Sequence, residues 1–298
     1  MTGSPPEFLD RLRAYYAPLA GTPFHAAAMA TALENAHFTH YLDAADRHRV
    51  LAGARVLDLG TGTGGLLAAA LDRGAAEVVG VEVDPAIHAL AAARLRQRPA
   101  EILLTDGGAV PRPDGSFDLV FSIHVIEHTT DPAAYLADAR RLLAPGGVLL
   151  VACPNRLVPR EVHAELPYLP WLPIAWARRL SRWRAAAEAQ SPGIRRQYET
   201  VVLVEHFFWY RQLRDRVRRA GLRILEANGP QFFEANSSSL GEWGTAHPRL
   251  AAPFHWYNET FLGDFLGPRA RAHPLRRWAS WAALAGSWET WLVAGRAP

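Results

Sequence analysis

The feature of this sequence that most constrains its fold is an apolar segment that runs directly into a glycine-rich turn. Residues 56–59 read Val-Leu-Asp-Leu, and residues 60–65 read Gly-Thr-Gly-Thr-Gly-Gly. Glycines at this spacing let the backbone turn sharply and approach a ligand without intervening Cβ atoms. The helix predicted to follow, over Leu66–Arg73, would direct its free N–H groups and its positive dipole end toward the turn. This pattern predicts a strand–turn–helix unit that binds a cofactor.

The alternation of strands and helices continues beyond the turn. The predicted strands are Arg55–Leu59, Glu77–Val81, Glu101–Leu104, Phe117–Ser122, Val148–Ala152 and Arg223–Glu226, with Glu289–Ala294 as an edge strand. The predicted helices after the turn are Leu66–Arg73, Pro85–Arg98, Pro132–Leu143 and Tyr210–Ala220. Repeated β-α-β units of this kind form a parallel sheet covered by helices on both faces. We therefore expect an α/β fold with a seven-stranded, mostly parallel, Rossmann-like sheet.

The remaining segments suggest one domain over residues 1–298 with additions to this core. Residues 1–50 are predicted to form a helical cap, and residues 51–153 the cofactor-binding core. Residues 154–206, rich in Pro, Trp and Arg, look like an insertion or lid. Residues 207–298 supply the last core elements and a second insertion at 228–285.

The composition excludes several classes of function. The net charge of +3 is too small to indicate nucleic-acid binding, which needs a concentrated basic face. All 32 basic residues are arginines, so Schiff-base chemistry, a lysine base and a Walker-type phosphate lysine are excluded. The single Cys153 cannot form an internal disulfide, and neither a signal peptide nor a membrane-spanning apolar run is evident. We expect a cytoplasmic protein.

Acidic residues lie at the ends of three predicted strands. Asp58 precedes the glycines, where a carboxylate can order the turn and reach a cationic amino group. Glu82 ends the second strand, in position to accept hydrogen bonds from ribose hydroxyls, and Asp106 ends the third, where it could accept one from an adenine amino group. A cofactor with an ammonium, a ribose and an adenine would use all three acids. A nicotinamide dinucleotide would share the glycine turn, but its diphosphate would gain nothing from Asp58.

Four sequence blocks in this order resemble the class I S-adenosylmethionine-dependent methyltransferases. They are VLDLGTGTGG at 56–65, VVGVEVDP at 78–85, TDGGAVPRPDGSFDLVFSIHVIEH at 105–128 and RRLLAPGGVLLVACPNR at 140–156. The resemblance implies S-adenosylmethionine as cofactor, with Glu82 at the ribose and Asp106 with Gly107 beside the adenine. It places Asp58, Gly60, Gly62 and Gly64 on the methionine side. Thr61, Val83 and Ser122 complete the expected cofactor site.

Candidate catalytic residues follow the fourth predicted strand, at the end where sites of open α/β sheets lie. The segment HVIEHTTDP is similar to quinone-biosynthesis O-methyltransferases, some of which hold a divalent ion with an E-x-x-E-H cluster. Here His124 replaces the first acid, and imidazole suits Mg²⁺ poorly, so we assign no metal ligands. Glu127 and His128 are either catalytic or stabilise the junction between the fourth strand and the helix that follows it. As general base we favour His124 over His128, and His163 of the insertion is a further candidate.

We expect this enzyme to transfer a methyl group to a small-molecule or saccharide acceptor in natural-product or glycan biosynthesis. Oxygen is the favoured acceptor atom. The alternatives are a non-methylating protein of the same fold, as a cyclase or scaffold partner, and a less favoured NAD-dependent oxidoreductase. The oligomeric state stays open.

Two aromatic-rich segments carry further expectations. In residues 174–184, Trp176, Leu180 and Trp183 share one helical face and three arginines share the other. This pattern fits a membrane-surface helix, although a lid helix packed on the core is favoured. Residues 232–257 have the aromatic density of an acceptor pocket or of core packing.

Overall fold

A computed structural model describes residues 4–21, 23–34, 36–156, 172–187, 203–227 and 289–297 of the chain. The strands are β1 (Arg55–Leu59), β2 (Glu77–Glu82), β3 (Ala100–Leu104), β4 (Phe117–Ile123), β5 (Leu143–Pro154), β6 (Arg223–Ala227) and β7 (Glu289–Gly295). The α-helices are α1 (Pro6–Tyr16), α2 (Pro23–Leu33), α3 (Thr39–Asp46), α4 (Gly65–Asp72), α5 (Pro85–Leu95), α6 (Pro132–Leu142), α7 (Ile174–Ala187) and α8 (Tyr210–Arg219). Short 3₁₀ helices cover Ala17–Leu19, Ala36–Phe38 and Ile126–His128.

The seven strands form one sheet in the order β3-β2-β1-β4-β5-β7-β6. The pairs among β1 to β5 are parallel, whereas β7 is antiparallel to both of its neighbours. The expected Rossmann-like class I methyltransferase fold is confirmed. The edge position predicted for the last strand is wrong, because β7 lies between β5 and β6. All seven of its residues are buried, as an interior strand requires.

Helices cover both faces of the sheet, as predicted. One apolar core joins the sheet to α3, α4 and the end of α5, through residues such as Leu42, Leu67 and Leu95. A second core joins the opposite face to α6 and α8, through Leu136 and Leu213. The strand order reverses direction next to β1, and the crevice at such a switch point is where ligands bind in open α/β sheets.

The N-terminal region, predicted as a helical cap over residues 1–50, contains separate helices. Helix α2 ends at Leu33, and α3 begins only at Thr39. The guanidinium of Arg94, on α5, donates to the carbonyl oxygens of Ala32 (2.7 Å) and Leu33 (3.4 Å). These are carbonyls that a helix terminus leaves without intrahelical partners. A distant arginine therefore stabilises the end of α2, and no local sequence signal marks it.

The described part of the insertion consists of residues 154–156, residues 172–187, which include α7, and residues 203–206. No helix among the residues described by the structure is long and apolar enough to cross a membrane. The second expected insertion, with the aromatic segment 232–257, lies outside the described residues, as does His163.

Candidate active site

The glycine-rich turn between β1 and α4 has a backbone that only glycine adopts easily. Gly60, Gly62 and Gly64 have φ angles of +73°, +55° and +77°. The Cβ atom that Gly60 lacks would lie 2.4 Å from Cγ2 of Val125, so the segment after β4 packs directly against the turn. The amides of Gly60 and Thr61 both donate to the carbonyl of Val81, which ties the turn to β2. The turn is thus rigidly placed between β2 and the candidate catalytic segment.

Glu82 at the end of β2 connects that strand to the turn. Its Oε2 accepts a hydrogen bond from the amide of Gly62 at 3.0 Å. Its Oε1 accepts from the amides of Val83 (2.8 Å) and Asp84 (3.1 Å). A carboxylate has about four acceptor positions, so this arrangement orients the group and leaves capacity for a ligand hydroxyl.

Asp58 lies buried in β1 just before the turn. Burial raises its pKa, a hydrogen bond with Thr61 partly opposes this, and the negative charge of Glu82 raises it further, to about 7. The ionised carboxylate of Asp58 is therefore costly in this buried position, and a cation beside it would favour ionisation.

The outer end of the crevice has an apolar wall. Val83 is 58% exposed, and the Cβ that Gly107 lacks would lie 3.8 Å from its Cγ1. Asp106 is exposed at the end of β3, where its Oδ1 accepts a hydrogen bond from the amide of Gly108.

Ser122, in β4, is fully buried, with its hydroxyl 2.7 Å from that of Tyr135. Its predicted contact with the cofactor stays a prediction.

His124 is the one non-glycine residue with a positive φ, +56°, in the described part of the chain. Its Nε2 lies 2.9 Å from Oε2 of Glu289, and its Nδ1 lies 3.6 Å from Oε1 of Glu127. Burial alone would lower the pKa of His124, but the attraction of the Glu127 and Glu289 carboxylates outweighs it and raises the pKa to about 10. The ring is an imidazolium at neutral pH and has no lone pair for accepting a proton. The preference for His124 as general base is therefore not retained.

Glu289, which sequence reasoning missed, organises this cluster from the start of β7. Its Oε2 also accepts a hydrogen bond from the hydroxyl of Tyr41 at 2.6 Å, and Oε1 lies 3.7 Å from Nε2 of His40. Burial raises the pKa of Glu289, but the interactions with His124, His40 and Tyr41 outweigh it, and the net shift is downward. The only local signal was an acid at the start of a mostly apolar strand.

Glu127 and His128 lie on the 3₁₀ helix that follows β4. Glu127 is buried, and neither of its carboxylate oxygens has a hydrogen-bond partner among the described residues. His128 places Nδ1 3.1 Å from the carbonyl oxygen of Leu203 and Nε2 3.9 Å from Oε1 of Glu127. Because a carbonyl only accepts, Nδ1 of His128 carries a proton. Within the described ranges, no group of three or more His, Cys, Asp or Glu side chains could hold a metal ion.

Sequence comparison matches residues 57–151 to the family described as "Methyltransferase domain". A ubiquinone biosynthesis O-methyltransferase of Rhodopseudomonas palustris is 38% identical over 109 residues, which cover 36% of this chain and 42% of that protein. Another protein of that name, from Dinoroseobacter shibae, is 39% identical over 129 residues, 41% of this chain and 50% of its own length. The aligned region thus spans half or less of the length of these relatives.

Comparison with solved structures supports the fold. Phosphoethanolamine N-methyltransferase 2 of Haemonchus contortus, in complex with S-adenosylhomocysteine, matches 98% of this chain and 59% of its own, with a TM-score of 0.54 and 20% identity. An S-adenosylmethionine-dependent methyltransferase from Mesorhizobium loti matches 83% of this chain and 92% of its own, with a TM-score of 0.50 and 18% identity. Residues 57–151 of this chain thus match the methyltransferase domain, and the chain has the fold of S-adenosylmethionine-dependent methyltransferases.

Proposed function

We propose that this chain transfers a methyl group from S-adenosylmethionine to an oxygen atom of a small-molecule or saccharide acceptor. The observation that carries this proposal is the buried carboxylate of Asp58 beneath the glycine turn, next to the carboxylate of Glu82. A diphosphate on this turn would bring its negative charges against two acids, which is unfavourable in a site of low dielectric constant. An ammonium group and a ribose are instead complementary to these carboxylates.

The described residues fit each part of such a cofactor. Asp58 would accept from the amino group, and the remaining acceptor capacity of Glu82 would bind the ribose hydroxyls. The exposed side chain of Val83, beside Gly107, offers an apolar surface for a planar base. Bound there, the cofactor supplies an activated methyl group on a sulfonium, and the chain contributes mainly by holding the acceptor in line with it.

His128 is the better general base of the two histidines. With Nδ1 donating to the carbonyl of Leu203, Nε2 would be the nitrogen that takes up the proton, and the imidazolium so formed would be stabilised by the buried Glu127 carboxylate 3.9 Å away. A positioned base of this kind contributes about 10²- to 10⁴-fold to the rate when a hydroxyl must lose its proton. The fixed positive charge of His124 suits a different role, which is to orient Glu127 and to attract a negatively polarised acceptor oxygen.

An oxygen acceptor is supported by the names of the two sequence relatives, which describe O-methyltransferases of ubiquinone biosynthesis. The matched family region ends at residue 151, before the insertion and before Glu289. The relatives therefore support the chemistry of the transfer more strongly than they support a quinone acceptor.

Thermal unfolding in the presence of ligands tests the cofactor assignment. S-adenosylhomocysteine should raise the Tm, NAD should not, and Asp58→Asn should strongly reduce the shift because the ammonium loses its anionic partner. Asp118→Asn is the matched control, since Asp118 is a buried acid of β4 that pairs with Arg49 and Arg55 at the opposite end of the sheet. That variant should keep the shift. A shift with NAD, or an undiminished response in Asp58→Asn, would reject the assignment.

An acceptor screen read by mass tests the reaction itself. Phenolic, catecholic and sugar hydroxyl compounds are offered with S-adenosylmethionine, and the product should gain one CH₂. His128→Ala should lower kcat by about 10²-fold or more, with KM for the cofactor little changed, and activity should recover as pH rises and the acceptor ionises unaided. Full activity in His128→Ala would remove it as the base. Cofactor binding without methylated product from any acceptor would favour the non-methylating alternative.

A further inference from the structure

Helix α7 packs on the molecule through small residues. Ala177, Ser181 and Ala185 are its buried positions, spaced four residues apart along one face. Ala177 and Ala185 belong to a small apolar cluster with Val204 and Phe207. This is the opposite of the favoured expectation for a lid helix, in which the large apolar residues would face the core.

The large apolar residues of α7 face outward. Trp176 is 69% exposed, Leu180 37% and Trp183 62%. At about 100° per residue, these three side chains fall within one narrow sector of the helix, opposite the buried alanines. A row of two tryptophans and a leucine on an exposed helix face marks an interaction surface, because solvated surfaces rarely group such residues.

The charges of α7 are all of one sign. The helix contains four arginines and no acid. Arg179 and Arg184 lie about 70° to either side of the centre of the apolar sector. The Arg184 guanidinium is 5.9 Å from the Trp183 ring centroid. Arg178 is used internally, since it donates to the carbonyl of Val204 at 2.9 Å and pairs with Glu205.

We propose that α7 lies in the interface of an anionic lipid membrane, with Trp176, Leu180 and Trp183 inserted among the acyl chains. Tryptophan is the side chain that favours this interface, and arginines flanking an apolar face can extend toward lipid phosphates. A protein partner would need acids around an apolar groove, whereas a lipid surface supplies both requirements without a specific shape.

The position of α7 relates this surface to the candidate active site. The amide of Glu205, whose carboxylate pairs with Arg178, donates to the carbonyl of Glu127 at 2.7 Å. The exposed Leu203 accepts from His128 in the same segment. A helix docked on a membrane would therefore hold the candidate catalytic segment near the lipid surface, where a lipid-soluble acceptor could enter. The membrane contact itself does not depend on the proposed methyl transfer.

Co-sedimentation of the full chain with lipid vesicles tests the proposal. Binding to phosphatidylcholine vesicles containing phosphatidylglycerol should exceed binding to pure phosphatidylcholine by about tenfold and should fall as salt rises. Trp176→Ser with Trp183→Ser should weaken binding by about tenfold or more, and Arg179→Glu should remove most of the preference for anionic lipid. Val50→Ser is the control, because Val50 is 67% exposed but lies before β1, away from α7 in the sequence.

The variants must first be shown to unfold at the wild-type temperature, which the exposure of both tryptophans leads us to expect. Unchanged vesicle binding of the double tryptophan variant would overturn the proposal, as would wild-type protein that sediments no better with anionic vesicles than without. A wild-type dimer in solution that the tryptophan substitutions convert to monomer would also overturn it, since the apolar face would then bind a second copy of the chain.

Discussion

Replacing the fully buried Glu289 by glutamine removes the negative charge at the centre of this cluster while keeping the shape of the side chain. The pKa of His124 rises from 6.5 to about 10 because of the neighbouring Glu127 and Glu289 carboxylates. At about 1.4 kcal/mol per pKa unit this amounts to ~5 kcal/mol shared between the two carboxylates. Glu289 makes the shorter contact, 2.9 Å against 3.6 Å, and also accepts from Tyr41. We therefore expect Glu289→Gln to lower the free energy of unfolding at neutral pH by about 3 kcal/mol.

The pH dependence separates this effect from a general packing defect. A histidine whose folded-state pKa is raised contributes stability that is complete below its unfolded pKa and is lost as pH rises through the folded value. Wild-type protein should lose this contribution as pH rises from the unfolded-state pKa of His124, 6.5, to its folded-state pKa of about 10. Glu289→Gln should flatten that slope, because His124 then titrates closer to its ordinary value. Urea unfolding followed by tryptophan fluorescence across this range measures both quantities.

Glu226→Gln is the matched control. Glu226 also pairs with an arginine and a histidine, Arg47 at 2.6 Å and His48 at 2.9 Å, but its side chain is 20% exposed and the pairs lie near the surface. Its substitution should cost less than about 1 kcal/mol. If Glu289→Gln costs no more than this control and keeps the wild-type pH slope, the reasoning about a buried imidazolium is refuted.

Three further outcomes follow from the site geometry. Affinity for S-adenosylhomocysteine, measured by calorimetry, should rise with pH toward the Asp58 pKa of about 7 and level off above it, and Asp58→Asn should remove this dependence. Gly60→Ala should lower the Tm and cofactor affinity much more than Gly62→Ala, because only at Gly60 does the added Cβ meet Val125; equal effects would contradict this. Arg94→Met should speed hydrogen exchange in α2, whose last carbonyls Arg94 binds, without changing exchange in α6.

The parts of the fold that were predictable from the sequence are those with local causes. The turn glycines, the aspartate caps of α5 and α6, and the apolar runs of the central strands each act within a few residues. Asp84 and Asp131 accept from the first amides of their helices in the structure, as N-cap residues do. The acids at strand ends could be placed at one edge for the same reason, since parallel strands align their carboxyl ends.

What the sequence could not show depends on residues far apart in the chain. Tyr41 and Glu289 are separated by 248 positions, yet their contact sets the environment of His124. The motif H-x-x-E-H alone suggests a base, whereas the buried partner from β7 converts His124 into a cation. The packing face of α7 was also unpredictable, because the amphipathic pattern identifies two faces without identifying which one meets the core.

The contact of Val125 with Gly60 joins the two halves of the candidate site. It places the cofactor turn directly against the segment that carries His124, Glu127 and His128. The cofactor half lies within residues 57–151, which match the methyltransferase family. The other half depends on α3 and β7, which lie outside that match and meet at the Tyr41–Glu289 hydrogen bond. Because these elements surround the candidate catalytic segment, we expect acceptor selectivity to respond to substitutions at Tyr41 and His40, while cofactor affinity stays nearly constant.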